Sequence, residues 1–272
     1  MEVKFIKASP TENMTLLIET PVAREKQLAV AERLIAYGSV YAEQAGYIEE
    51  AENPAAEKRL QMMAGEFCGN ASLSLAAWLA QKKNLQIGEK TEITLEVSGA
   101  EELVRCEMKR EAEHRFLGRV AMPLPQTIEK RAFTLDGERI ELTVVVFAGI
   151  THILVPASLW GENAAEKAEH AARVWAKELP PVFGLLLFDE KEKSLKPLVA
   201  VGDVSLIWER GCGSGTSAVG AYLAAREKKD VTVSLKQPGG VMHATVSYQN
   251  GAVTKIEITG SVAIVAEGTA YL

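Results

Sequence analysis

The chain opens on a two-residue rhythm. Met1-Glu2-Val3-Lys4-Phe5-Ile6-Lys7 alternates apolar with charged side chains, the pattern of a half-buried strand. A polar loop, Thr11-Glu12-Asn13-Met14, leads into a second strand at 14–18. Thr20 before Pro21 reads as a helix N-cap with proline at the first helical position. Leu28, Ala31, Leu34 and Ile35 give that helix its apolar face, and Gly38 a stop. Segment 41–50 carries Glu43-Gln44 just ahead of a short strand, and a helix after Cys68 ends near 81–84. Alternating strands are expected at 92–97, 103–109 and 116–122.

Around Pro123-Leu124-Pro125 the pattern restarts, which places a domain linker there. Strands at 139–147 and 152–155 precede a helix at 163–178 with a solvated acidic face, closed by Pro180-Pro181. Strands follow at 184–188 and 204–208, the latter running into a second cysteine helix. Strands at 231–235 and 242–248, an Asn250-Gly251 hairpin turn, a further strand and a last one at 262–271 complete the chain.

Two stretches read as copies of one another: Gly65-Glu66-Phe67-Cys68-Gly69-Asn70-Ala71-Ser72 and Glu209-Arg210-Gly211-Cys212-Gly213-Ser214-Gly215-Thr216. Aligned at their cysteines, Leu75 falls on Val219, Trp78 on Tyr222 and Leu79 on Leu223. That i, i+3, i+4 spacing gives each helix one buried stripe. A cysteine therefore stands at the mouth of a helix in each half. Opposed thiols on two similar halves suit the movement of a proton from one face of a carbon to the other. A thiol titrates near ~8.5, and a helix N-terminus makes its thiolate accessible. The N–H groups at the two helix starts would bind a carboxylate, and glycine after each cysteine permits close approach.

Composition narrows the alternatives. At 272 residues, 47% hydrophobic and 24% charged, the chain is an ordinary globular protein of two domains or one large one. A net charge of -6 without a Lys/Arg cluster argues against nucleic acid as a partner. The most apolar window, 142–160, is broken by Gly149, His152 and Pro156 and reads as adjoining strands, so no membrane association is expected. Three cysteines without a signal-like leader point to reduced thiols in the cytoplasm. The Cys and His residues lack metal-ligand spacing, and the segment 211–215 lacks the Lys-Ser/Thr ending of a phosphate loop. Cys106, inside an alternating strand, reads as a core residue.

The cysteine pair and its surroundings resemble the diaminopimelate epimerase superfamily of cofactor-independent amino-acid racemases and epimerases. The likeness runs nearly end to end, through the Asn13 loop, Glu43-Gln44, Phe67-Cys68-Gly69-Asn70, His152, Trp208-Glu209-Arg210-Gly211, Gln237-Pro238-Gly239-Gly240 and the closing strand. Within it, Glu12-Asn13-Met14-Thr15, Glu66 to Ala71, Ser205 to Glu209 and Cys212 to Thr216 look most like the histidine racemases that supply nicotianamine-like metallophores. The resemblance implies an α/β (α+β) fold of two pseudo-symmetric halves, each a curled, mostly antiparallel sheet around a central helix. The first half would be 1–123 completed by 262–272, the second 124–261, with the site in the cleft. It implies Cys68 and Cys212 as base and acid. Asn13, Gln44, Gly69, Asn70, Gly213 and Ser214 would hold the α-amino and α-carboxylate groups. Glu209 and His152 would stand beside the thiols, orienting substrate or tuning protonation. Neither cofactor nor metal is implied; the partner is a small amino-acid substrate, and a homodimer is left open.

Departures bear on the substrate. Cys212 follows Gly211 directly, where diaminopimelate epimerases insert a short Gly-Glu-Thr. Their two asparagines for the distal end of diaminopimelate correspond to Ile150 and Leu185 here, which removes groups a buried charged end requires. Arg210 is retained where the histidine racemase pattern lacks it, so it joins the substrate-binding candidates and keeps an anionic side chain open. Histidine is the leading substrate. Diaminopimelate, a hydroxyproline-like imino acid, and a non-catalytic amino-acid-binding protein of the same fold are the alternatives.

Overall fold

The computed structural model describes residues 1–201 and 205–272. The chain divides into two compact units, one of residues 1–121 with 259–272, the other of residues 122–258.

In the first unit the opening alternation becomes β1 (Glu2–Pro10), followed by β2 (Thr15–Ile18) and α1 (Arg24–Ile35). The helix starts later than Thr20-Pro21 suggests. Its N-cap position is Ala23, and the Thr20 hydroxyl accepts from Lys4 N at 2.8 Å, closing the end of the β1–β2 pair. Its buried face is Gln27, Ala31 and Leu34, and Leu28 is exposed. The rotation follows from Gln27, whose side chain bonds Arg24, Glu49 and the Val22 carbonyl. Next come β3 (Gln44–Glu49), β4 (Lys58–Met62), α2 (Gly69–Lys82), β5 (Lys90–Val97), β6 (Val104–Ala112) and β7 (Arg115–Ala121). These strands lie in chain order, and β7 and β1 both neighbour the chain's last strand, so the sheet closes on itself. Glu2 pairs with Tyr271 and Pro10 with Val262.

The closed sheet holds α2, which packs against every strand from β1 to β7. A helix so enclosed cannot keep a polar face, and residues 69–78 are all buried. The single stripe expected from the sequence is thus replaced by burial on every side, with Leu79 only half-buried. Alanines and serines make this feasible by letting strands approach closely. The buried hydroxyls are satisfied within the helix: Ser72 Oγ donates to Cys68 O and Ser74 Oγ to Asn70 O, each at 2.8 Å.

The second unit repeats the plan. Its elements are β8 (Thr127–Leu135), β9 (Glu138–Val146), β10 (Thr151–Pro156), α3 (Ala164–Trp175), β11 (Val182–Asp189), β12 (Ser194–Val201), β13 (Ser205–Trp208), α4 (Gly213–Glu227), β14 (Val231–Gln237), β15 (Gly240–Gln249) and β16 (Ala252–Tyr271). Val204, the expected start of the strand before Cys212, lies outside the described residues. The sheet runs β16-β15-β14-β12-β11-β10-β9-β8, mostly antiparallel, with β13 paired to β12. The turn at Asn250 and Gly251 has positive φ at both residues, 52° and 83°, as an Asn-Gly hairpin demands. Beyond it the two expected strands form one, β16, running through Gly260.

α4 packs on β10, β14 and β15 and is buried on nearly all sides, though Tyr222 is only partly covered. α3 lies against β8, β11 and β12. Its acidic face is in water as expected, while Ala168, Ala171, Ala172 and Trp175 enter a core with Phe133, Val144 and Leu185. Trp175 is 1% exposed, its indole N–H donates to Thr134 O at 2.8 Å, and burying it contributes roughly 2–3 kcal/mol. Leu185 is fully buried here. No helix of the described residues is long and apolar enough to cross a membrane.

Candidate active site

Both cysteines occupy helix N-cap positions, where serine, threonine, aspartate or asparagine is usual. Cys68 has extended backbone angles (φ -135°, ψ 111°), and its sulfur accepts from Ala71 N at 3.4 Å. Cys212 has φ -107° and ψ 108°, and its sulfur accepts from Gly215 N at 3.3 Å. Neither helix has an acidic residue in its first turn, so both N-terminal dipoles remain available to an anion. The copying extends to the fourth residue beyond each cysteine: Ser72 and Thr216 both return a hydroxyl hydrogen bond to the cysteine carbonyl.

In the first unit, Gln44 at the start of β3 is brought to Cys68, with Oε1 3.1 Å from Sγ. Gln44 Nε2 donates to Asn13 Oδ1 at 2.7 Å and to Thr15 Oγ1 at 2.9 Å. Asn13 is 1% exposed and follows two left-handed residues, Thr11 and Glu12, that turn it inward from the end of β1. Gly69 and Asn70 form the first turn of α2. The loop into Cys68 is braced by the turn after β5, where Ser98 Oγ donates to Glu66 O at 2.9 Å. A Cβ at Gly99 (φ 71°) would stand 2.4 Å from Phe67 N, so only glycine fits under that loop. Burial raises the Glu66 carboxyl above its ordinary range.

In the second unit, Gly213 and Ser214 form the first turn of α4. Ser214 Oγ lies 3.5 Å from Cys212 Sγ and 2.9 Å from His152 Nε2. His152, on β10, is fully buried, and burial lowers its pKa from 6.5 to about 3, so the ring is neutral at physiological pH. It reaches the thiol through the serine. His152 Nδ1 has no hydrogen-bond partner and faces Gly184 on the paired strand β11. An unsatisfied acceptor costs less there than an orphaned N–H. The proton therefore sits on Nε2, which donates to Ser214 Oγ and turns the serine O–H toward sulfur. Burial, then the charge of Glu209 and its hydrogen bond with the thiol, push Cys212 well above the ordinary thiol range; Ser214 and Gly215 N–H oppose them. Cys212 is thus a thiol at neutral pH.

Arg210 is exposed, and Arg210 Nη2 donates to Pro238 O at 3.2 Å. Gly239 N returns a bond to Arg210 O at 2.7 Å, while Gln237 Oε1 accepts from Cys212 N at 2.8 Å. The Gln-Pro-Gly-Gly segment therefore clamps the loop that carries the second cysteine. Gln237 and Thr15 had no role assigned from the sequence. For both the usable signal was a place in a motif, Gln237 in Gln-Pro-Gly-Gly and Thr15 in Glu-Asn-Met-Thr. Cys106 is fully buried, with Sγ 3.9 Å from Ser72 O, as a core thiol should be.

Gly184 carries a prediction. A Cβ added there would lie 2.4 Å from His152 Nδ1. Gly184→Ala should push the ring off Ser214 and destabilise the fold by roughly 1–3 kcal/mol, read by urea denaturation. A denaturation midpoint equal to that of the parent would contradict the packing described.

A curled sheet around a helix, present twice, has counterparts among solved structures. The crystal structure of a probable proline racemase from Agrobacterium radiobacter superposes with a TM-score of 0.73 at 16% identity, covering 98% of this chain and 92% of that one. That of a hydroxyproline epimerase from Agrobacterium vitis gives 0.73 at 13% identity, covering 99% and 91%. In sequence, a histidine racemase from Fusobacterium nucleatum is 32% identical over 272 residues, 98% of this chain and 97% of the relative. One from Staphylococcus aureus is 28% identical over 280 residues, 99% and 98%. The family model for the histidine racemase CntK N-terminal domain matches residues 2–271. The chain belongs to that histidine racemase family, and so to the amino-acid racemases among the isomerases.

Proposed function

We propose that this protein is a histidine racemase that inverts the α-carbon with two cysteines and no cofactor. The observation that carries the reading is the duplicated cap: Cys68 and Cys212 each stand at the start of a buried helix, each accept a backbone N–H, and each precede a first turn without an acidic residue. One sulfur, as thiolate, takes the α-proton, and its S–H bond forms as the C–H bond breaks. The other thiol gives its proton to the opposite face of the carbanion, so no electrons are gained or lost. Negative charge moves onto the substrate carboxylate as the proton leaves, and N–H groups aimed at it stabilise the transition state beyond the ground state.

In this reading Asn13, Gln44, Gly69, Asn70, Gly213 and Ser214 hold the amino and carboxylate groups. Glu209 exchanges a proton with Cys212, and His152 acts through Ser214. Arg210 joins the substrate-binding set. The D-histidine formed would feed metallophore synthesis in the cytoplasm. Membership of the histidine racemase family supports histidine over diaminopimelate.

Chiral chromatography of L-histidine, diaminopimelate and 4-hydroxyproline reactions tests the assignment. Histidine should show the highest kcat/KM by at least about tenfold, the discrimination expected from one or two mismatched polar groups. A higher kcat/KM for diaminopimelate would replace the substrate and leave the two-thiol chemistry standing.

A further inference from the structure

The hydrogen bonds around Cys68 run in a definite sense, because one member can only accept. The Glu43 carboxylate takes a bond from Asn13 Nδ2 at 2.8 Å, which turns Asn13 Oδ1 toward Gln44. Gln44 therefore points Nε2 at Asn13 Oδ1 and Thr15 Oγ1 and presents Oε1 to Cys68 Sγ at 3.1 Å. A carbonyl oxygen cannot donate. The contact is favourable while Cys68 keeps its proton and repulsive once it is a thiolate. Cys212 meets a mixed wiring: the Ser214 O–H turned by His152 and the Gly215 N–H favour its thiolate, while burial and the Glu209 carboxylate hold it as a thiol.

We infer that Glu43 is a positioning residue which, through Asn13 and Gln44, holds Cys68 as the proton-donating thiol of the resting enzyme. Among the groups around Cys68 are Gln44 on β3, Asn13 after β1, Ala71 N–H on α2, and the Glu66 carboxyl two residues before it. The inference rests on the two-thiol reading for its catalytic meaning, but its test needs no substrate.

Iodoacetamide alkylation of the full chain near neutral pH, followed peptide by peptide by mass spectrometry, reads the wiring directly. Cys68 is half-exposed, whereas Cys106 is buried and gauges folding by staying unmodified. Glu43→Gln frees the Asn13 and Gln44 amides to invert and removes a nearby negative charge. Alkylation of Cys68 should then rise about tenfold. Gln44→Leu keeps the Glu43 charge but deletes the acceptor, and it should also speed alkylation several-fold. A Glu43→Gln rate within twofold of the parent overturns the inference. So does acceleration in Glu43→Gln with none in Gln44→Leu, which would reduce the effect to charge alone. The racemase reading is decided separately by the cysteine variants below.

Discussion

Cys68→Ser and Cys212→Ser should each lower kcat for histidine racemisation by roughly 10²–10⁴-fold, the range that a positioned acid or base contributes. Serine can reproduce the helix cap, since its oxygen accepts the same N–H bonds that the sulfurs take from Ala71 and Gly215. Fold and substrate binding should therefore survive, with KM changing far less than kcat. What serine lacks is acidity: a thiol titrates near ~8.5, whereas a hydroxyl does not ionise in the working range. The loss should appear in both reaction directions for each variant, because in the proposed mechanism each direction uses both sulfurs. Near-parental racemisation by either variant would show that one sulfur suffices and would end the two-thiol mechanism.

Stability should fall steeply on mild acidification because of His152. In the folded chain burial lowers its pKa to about 3, against an ordinary 6.5. The unfolded chain takes up a proton as pH drops through about 6.5, while the folded chain refuses it until about 3. The stabilisation is therefore complete above about 6.5 and is lost at about 1.4 kcal/mol per pH unit below it. Between pH 7 and 5 this amounts to roughly 2 kcal/mol, measurable as a shift in the urea midpoint. Glu107, Glu190 and Glu227, held below their ordinary range by lysine and arginine neighbours, lose their contributions only at lower pH. Glu66 acts with the opposite sign, since burial raises its pKa. The difference between parent and His152→Asn cancels these carboxylates. The variant should be less stable at pH 7 and show a flatter slope from pH 7 to 5. An unchanged slope would mean that the histidine is not held neutral.

Much of this was legible in the sequence, and the gaps have physical causes. The two cysteine helices were readable because each begins at Cys-Gly and continues as an apolar run. Their burial on all sides was not, since alanine and serine at the remaining positions look neutral to a periodicity count. β4, β8 and β12 escaped detection: Lys58 and Arg59, the mostly exposed Thr127–Leu135 segment, and Lys196-Pro197 each break the alternation. Gly260-Ser261 suggested a break in β16 where the strand continues. Thr20-Pro21 carried a sound cap signal, but the Lys4 N–H had taken the hydroxyl. Within the site, Cys68 and Cys212 were named beforehand from the duplicated Cys-Gly stretches, and Gln44, Asn13, Ser214 and His152 through motif resemblance. Which atom faces which was not readable, because the contacts from Asn13 to Glu43 and from His152 to Ser214 span 30 and 62 residues.

The most direct measurement follows the α-hydrogen of L-histidine in deuterated water, with both enantiomers separated early in the reaction. Two sulfurs serving opposite faces predict D-histidine that is fully deuterated at the α-carbon, while the remaining L-histidine stays almost wholly protonated. D-histidine that keeps its original hydrogen, or deuterium entering both enantiomers at the same early rate, would reveal a single base and contradict the account.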